Sequence, residues 1–282
     1  MSRPELTGSA SNFYNDTEAR KYDTNSRMVG IQAEITNRAV ELLQLPSDRP
    51  SFILDMGCGS GLSGKVLEES GHYWVGCDVS RDMLNVASER EISTSGDLFH
   101  HDMGTGLPFR PASFDGCISI SALQWLCYSN TSSQVPKRRL VRFFSSLYAV
   151  LKRGARAVLQ FYPETPEQAV LISECASKVG FAGGVVVDYP NSTKAKKHYL
   201  VLSFDRGYNT PRGLDDGGAK GGVRVDGVGG GRKGGKNVAK KKKGVKTKEW
   251  IQHKKDVQRK KIGDGNVRKD TRFTGRKRKD KF

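Results

Sequence analysis

Between residues 51 and 204 short apolar runs alternate with helical patterns, and this alternation constrains the fold more than any other feature of the chain. The runs are "SFILDM" (51 to 56), "YWVGCDV" (73 to 79), "DLFHHD" (97 to 102), "FDGCISI" (114 to 120), "RAVLQFY" (156 to 162), "GGVVVDY" (183 to 189) and "HYLVLSF" (198 to 204). Helical spacing falls near 62 to 69, 81 to 90, 137 to 152 and 166 to 179. Strand alternating with helix predicts a mostly parallel sheet covered on both faces. The last two runs are linked by "PNSTKAKK", which has no helical pattern, so the final strand is expected to return antiparallel. Upstream, Met28, Ile31, Ile35, Ala39 and Leu42 step by three or four residues and predict an amphipathic helix over 25 to 45, ended by Pro46.

Charge divides the chain. From Arg206 to Phe282 there are 26 Lys+Arg against 8 Asp+Glu, a net of +18; subtracted from the whole-chain +17, this leaves residues 1–205 at −1. The same segment holds 16 of the 32 glycines and only Tyr208, Trp250, Phe273 and Phe282 as aromatics, too little apolar area to offset its ordering entropy. It is expected to be disordered until it meets a polyanion, since Lys and Arg release counterions from nucleic-acid phosphates. A charge of this size exceeds what solubility requires. "AKKKKG" (239 to 244) and "GRKRKDKF" (275 to 282) resemble nuclear import signals. Three segments follow: a helical N-terminal segment (1–50) covering a ligand site, an α/β core (51–205), and a basic tail (206–282) for RNA binding and nuclear targeting. No apolar run reaches the roughly 20 residues that span a bilayer, so no membrane role is expected. Five scattered cysteines without a C-x-x-C pair fit reduced thiols and argue against a structural metal site.

"ILDMGCGSGLSG" (53 to 64) admits two cofactors. Gly59, Gly61 and Gly64 match the dinucleotide pattern G-x-G-x-x-G, and Asp55, Gly57, Gly59 and Gly61 match the D-x-G-x-G-x-G loop of S-adenosylmethionine enzymes. Asp55 decides between them. A carboxylate at the end of the first strand repels a pyrophosphate and attracts a sulfonium and an ammonium. Gly57, Cys58, Gly59 and Gly61 are then expected to admit the methionine moiety. Asp78 should accept the ribose hydroxyls and Asp102 the adenine amino group, with Met83 and Met103 on the ring. "FDGCISISALQWL" (114 to 126) resembles the fourth-strand motif lining the methyl-transfer mouth, with Ser119 expected at the cofactor.

The target is narrowed by what is missing. An exocyclic amine calls for Asn/Asp-Pro-Pro-Tyr/Phe, where this chain has "SISA" (119 to 122); pyrimidine C5 calls for a Pro-Cys nucleophile, and no cysteine here follows proline. A Lys-Asp-Lys-Glu set for ribose is not recognisable. A nitrogen with a free lone pair, such as guanine N7, needs alignment and desolvation but no general base. Gln124, Trp125, Tyr162 and Tyr14 are the candidates for a platform holding a flipped base.

"EARKYDTNSRMVGIQAEI" (18 to 35), "LDMGCGSGLSG" (54 to 64), "FDGCISISALQWLC" (114 to 127), "RAVLQFYPE" (156 to 164), "VVVDYPNSTKAKKHYLVL" (185 to 202) and "TGRKRKDKF" (274 to 282) resemble the eukaryotic small-subunit (18S) ribosomal RNA guanine-N7 methyltransferases. The resemblance covers residues 12 to 204 and the last nine; the glycine-rich stretch 207 to 240 falls outside its recognised pattern. It implies a seven-stranded class I methyltransferase sheet, S-adenosylmethionine as cofactor, and a guanine of the pre-40S particle as substrate. It also implies a nuclear and nucleolar place in subunit biogenesis. A small zinc-binding activator subunit is implied as partner, adding strands beside the third strand near Asp97–Asp102. Physically, that strand is an edge with exposed Phe99, which such pairing would cover. Two other readings stay open: an assembly factor that acts by presence alone, and a small-molecule methyltransferase of the quinone-biosynthesis type.

Overall fold

The computed structural model describes residues 3–90, 95–215 and 224–226, with single helical residues at 255 and 259. Three N-terminal helices, α1 (Ala10–Phe13), α2 (Asp16–Thr24) and α3 (Ser26–Leu43), precede the sheet. Two asparagines set their boundaries. Asn15 accepts from Glu18 N and Asn25 from Met28 N, each satisfying a helix-start amide that would otherwise lack a partner. The expected helix over 25 to 45 is therefore α3, started by its cap and ended with Gln44 in the left-handed region.

Seven strands follow as the alternation predicts: β1 (Phe52–Met56), β2 (Tyr73–Asp78), β3 (Gly96–His100), β4 (Phe114–Ile120), β5 (Leu151–Phe161), β6 (Ala182–Asp188) and β7 (Lys197–Ser203). Between them run α4 (Leu62–Glu69), α5 (Arg81–Glu89), α6 (Pro136–Val150) and α7 (Pro166–Val179). The strand order is β3-β2-β1-β4-β5-β7-β6. The first five strands pair in parallel, and β7 inserts antiparallel to both β5 and β6. Leu140, Phe143, Phe144 and Leu147 of α6 with Ile172 and Ala176 of α7 bury one face of the sheet. Ile35, Ala39, Leu42 and Leu43 of α3 with Leu67 of α4 pack beside Trp74 in a second cluster. The five cysteines are all free.

The sheet does not stop at seven strands. A short β8 (Arg224–Asp226) pairs antiparallel with β6, in the stretch that composition assigns to the tail. Before it, Tyr208 lies under the Arg156 guanidinium at 5.0 Å, and Leu214 both donates to Asp188 Oδ1 (2.8 Å) and accepts from Tyr189 N (2.7 Å). Composition could not show this, because backbone pairing at a sheet edge needs little apolar side chain. Met1–Gly230 form one compact unit, holding the N-terminal helices and the sheet together. The expectation of a disordered tail falls mostly on residues outside those described.

Candidate active site

The loop after β1 is tied down by its backbone. Gly57 N and Cys58 N both donate to Cys77 O, at 2.7 and 3.1 Å, which locks the turn to the end of β2. Gly57 has φ +76, and a Cβ there would stand 2.2 Å from Ala122 Cβ. Gly57, Cys58 and Gly59 line a cavity at the C-terminal ends of the strands, which is where ligands of open α/β sheets bind. Gly61 and Gly64 have other duties. Gly61 lets α4 approach Ala87 of α5, and Gly64, which completes the dinucleotide pattern, has a Trp74 ring carbon 2.2 Å from where its Cβ would stand. The third glycine is explained by core packing.

Two carboxylates lie at the cavity floor, Asp78 on its wall and the predicted Asp55 buried behind the lining. Asp55 is fully buried; Ser63 Oγ donates to its Oδ2, and its Oδ1 has no partner. Burial pushes the Asp55 carboxyl up to about 7, against the Ser63 hydrogen bond and with a further push from Asp78. Asp78 faces the cavity, its Oδ2 accepting from Gly59 N (2.9 Å) and its Oδ1 from Ser80 N (2.8 Å). Burial raises its pKa too, with the backbone hydrogen bonds opposing. Among the described residues neither acid forms a salt bridge. Two poorly solvated acids without a counter-cation fit a cationic ligand and repel a pyrophosphate. The donor set therefore fits S-adenosylmethionine.

The third wall comes from the chain leaving β3. Met83 and Met103 line the cavity, 4 % and 9 % exposed, and Asp102 stands beside them. Arg139 of α6 grips Asp102, its Nη2 lying 2.8 Å from both carboxylate oxygens, while Gly104 N donates to Oδ1 (2.8 Å). Gly104 makes room for this, since a Cβ there would stand 2.5 Å from Arg139 Nε. Sequence reasoning missed Arg139.

The expected platform residues separate. Tyr14 and Trp125 line the cavity with ring centroids 5.9 Å apart, and Tyr22 joins them at 6.1 Å from Tyr14. Ser80 Oγ donates to Tyr14 O at 2.7 Å, fixing the N-terminal segment over the end of β2. Gln124, Tyr162 and Ser119 lie off the cavity wall. Gln124 is 3 % exposed and spends its amide on Ser121 O (2.8 Å) and Tyr162 N (3.5 Å), bracing the exits of β4 and β5. Tyr162 presents its ring to Lys197 Nζ at 5.7 Å. Ser119 donates to Met56 O at 2.6 Å; side chains alternate along β4, and it is Ile120 that reaches the cavity. Ser121, next in the chain, lines the cavity in its place. Among the described residues no group of three His, Cys, Asp or Glu is placed to hold a metal ion.

A parallel sheet closed by an antiparallel β7, an acid at the end of β1, a glycine turn, and a second acid at the end of β2 define a class I S-adenosylmethionine-dependent methyltransferase. A methyltransferase domain family matches residues 54–159, and a family described as "Methyltransferase involved in Williams-Beuren syndrome" matches 208–280. The second match corrects the reading of the tail, whose glycine-rich stretch lies inside a family pattern. A Haemonchus contortus phosphoethanolamine N-methyltransferase, solved with S-adenosylhomocysteine, shares the fold at 19% identity and TM-score 0.52, over 67% of this chain and 57% of that one. The mouse 18S rRNA (guanine-N(7))-methyltransferase is 52% identical over 99% of this chain and 98% of its own length. Its Schizosaccharomyces pombe namesake is 49% identical over the full length of both. The chain belongs to the 18S rRNA (guanine-N7)-methyltransferase family.

Proposed function

We propose that the protein transfers the methyl group of S-adenosylmethionine to N7 of a guanine in small-subunit ribosomal RNA, during small-subunit biogenesis. The observation that supports the choice of atom is an aromatic slot whose ring residues offer no general base. Tyr14 and Trp125 offer ring faces, while burial, with Asp78 adding to it, drives the Tyr14 hydroxyl pKa far above its ordinary value. Bound S-adenosylmethionine supplies an electrophilic methyl group. The N7 lone pair takes it, the carbon–sulfur electrons remain on sulfur, and no proton has to move, so alignment and exclusion of water are what the chain must provide.

Each wall then has a part. Gly57, Cys58 and Gly59 face the methionine end with Asp55 buried behind them, Asp78 faces the ribose hydroxyls, and Asp102, held by Arg139, faces the adenine amino group between Met83 and Met103. Gly61 supports the loop from behind. The exposed edge of β3 supports a heterodimer with a small zinc-binding activator: Phe99 is 38 % exposed, with Phe109 5.8 Å and His101 5.6 Å from its ring. A stable, fully active monomer would sink the partner. Nuclear and nucleolar residence follows from the substrate and from the basic tail.

The deciding experiment maps 7-methylguanosine in small-subunit rRNA by borohydride and aniline cleavage, in depleted cells rescued with wild type or Asp78→Ala. Cleavage at one guanine returning only with wild type is the expected result. Modification that survives depletion would assign the mark to another enzyme, and normal subunits in the mutant would show that the protein also acts by presence.

A further inference from the structure

Helix α6 carries a cationic face that the cavity does not use. Its core side is Leu140, Phe143, Phe144 and Leu147, and Arg139 turns to Asp102. Lys137, Arg138, Val141 and Arg142 line an open groove with Val135 before the helix and Lys178 of α7. Among the described residues none of these four cations forms a salt bridge, and no Asp or Glu lines the groove. Residues 1–205 sum to −1, so four uncompensated charges in one groove are a local departure from a near-neutral domain. The groove also begins where the cavity ends: Asn130, Gln134 and Arg139 line the cavity, and Val135, Lys137 and Arg138 line the groove.

We propose that this groove is a phosphate track, holding the RNA strand that flanks the methylated guanine while the base passes Asn130 and Gln134 into the cavity. The inference rests on the RNA substrate proposed above. Charge favours nucleic acid over a protein partner: protein interfaces centre on aromatic side chains and are poor in lysine, whereas this lining has no aromatic ring and two lysines. The +18 tail supplies attraction from any direction; contacts beside the mouth fix register, because phosphate contacts position a nucleic acid.

The test uses the full-length chain with its tail, co-expressed with the activator proposed above and carrying Lys137→Gln, Arg138→Gln and Arg142→Gln together, and a short single-stranded RNA of small-subunit sequence as probe. Three lost phosphate contacts should flatten the slope of log affinity against log salt by about 2, from roughly 0.7 per contact. The KM for RNA should rise with kcat kept, and S-adenosylhomocysteine affinity should stay that of wild type, which a misfolded variant could not show. Lys178→Gln alone, on the other wall, should take about 0.7 from the slope. An unchanged slope and KM in both variants would overturn the track. So would an unchanged slope with loss of a co-purifying acidic protein, which would give the groove to that partner. If wild type binds RNA with a steep salt slope yet methylates no guanine N7, the proposed reaction fails while the track is still judged by its slope.

Discussion

The floor and the roof of the cavity are built by different means. The floor comes from the ends of β1 and β2, where backbone amides of Gly57, Cys58, Gly59 and Ser80 are spent on Cys77 O and Asp78. The roof is the segment from Ser9 to Tyr22, attached mostly by side chains. Arg20 bonds Asp16 and Glu89 on the surface, Arg90 pairs with Asp23, and Arg3 donates to Tyr162 O and Pro163 O, each at 2.9 Å. Exposed ion pairs hold far less than the framework beneath them, and Ala19, Tyr14 and Tyr22 add apolar packing on Met83 and Val86 of α5.

The contrast is broken most severely at Asp78. Asp78→Ala should weaken cofactor binding by roughly 1.5 to 3 kcal/mol for each charge-assisted hydrogen bond lost, measured by calorimetry; unchanged affinity would mean that the ribose lies elsewhere. Arg139→Met should come next, costing about tenfold in affinity for S-adenosylhomocysteine. It should also erase the preference for that ligand over its inosine analogue, because Asp102 loses the group that orients it. If the preference survives, Arg139 serves only the fold.

A smaller effect comes from proton linkage at Asp55. Its folded pKa, about 7, lies above the ordinary carboxylate value, so the folded chain keeps a proton that the unfolded chain gives up. Stability of the ligand-free protein should therefore fall as pH rises from about 4 to about 7 and stay level above that. A cationic ligand favours the ionised acid, so cofactor affinity should rise with pH over the upper part of this window, by at most about tenfold per unit, and level off beyond it. Binding at pH 7 should release protons, seen as a buffer-dependent heat; Asp55→Asn should shrink both trends to the share of Asp78, whose pKa burial also raises. Smallest of all is Arg20→Ala. Both partners of its pair with Glu89 are about half exposed, and the melting temperature should hardly move. Faster cofactor exchange with little change in affinity would mark the segment as a cover; a loss as large as that of Asp78→Ala would put it in the floor.

The floor was legible in the sequence because its residues follow strand ends in chain order, with acid, glycine and strand at fixed spacing. The roof was not. Tyr22 sits on α2, whose packing on α5 no local pattern announces. Arg139 belongs to the run Lys137-Arg138-Arg139, which reads as a solvated face, although its spacing of four from buried Phe143 places it on the inward side. Gln124, Tyr162 and Ser119 were chosen for nearness to strand ends, and nearness does not give direction. The eighth strand escaped although Val223-Arg224-Val225-Asp226 alternates, because the run is only two periods long inside a glycine-rich segment.

The bonds from Arg3 to Tyr162 O and Pro163 O join atoms 159 and 160 residues apart. A ribosome adding about 5 to 20 residues per second needs roughly 10 to 30 s to travel from one partner to the other. Through that interval the cover gains its anchors in turn: Ser80 for Tyr14, then Glu89 and Arg90, then Trp125, and last the carbonyls that hold Arg3. The part of the enzyme translated first therefore waits longest for its final contact.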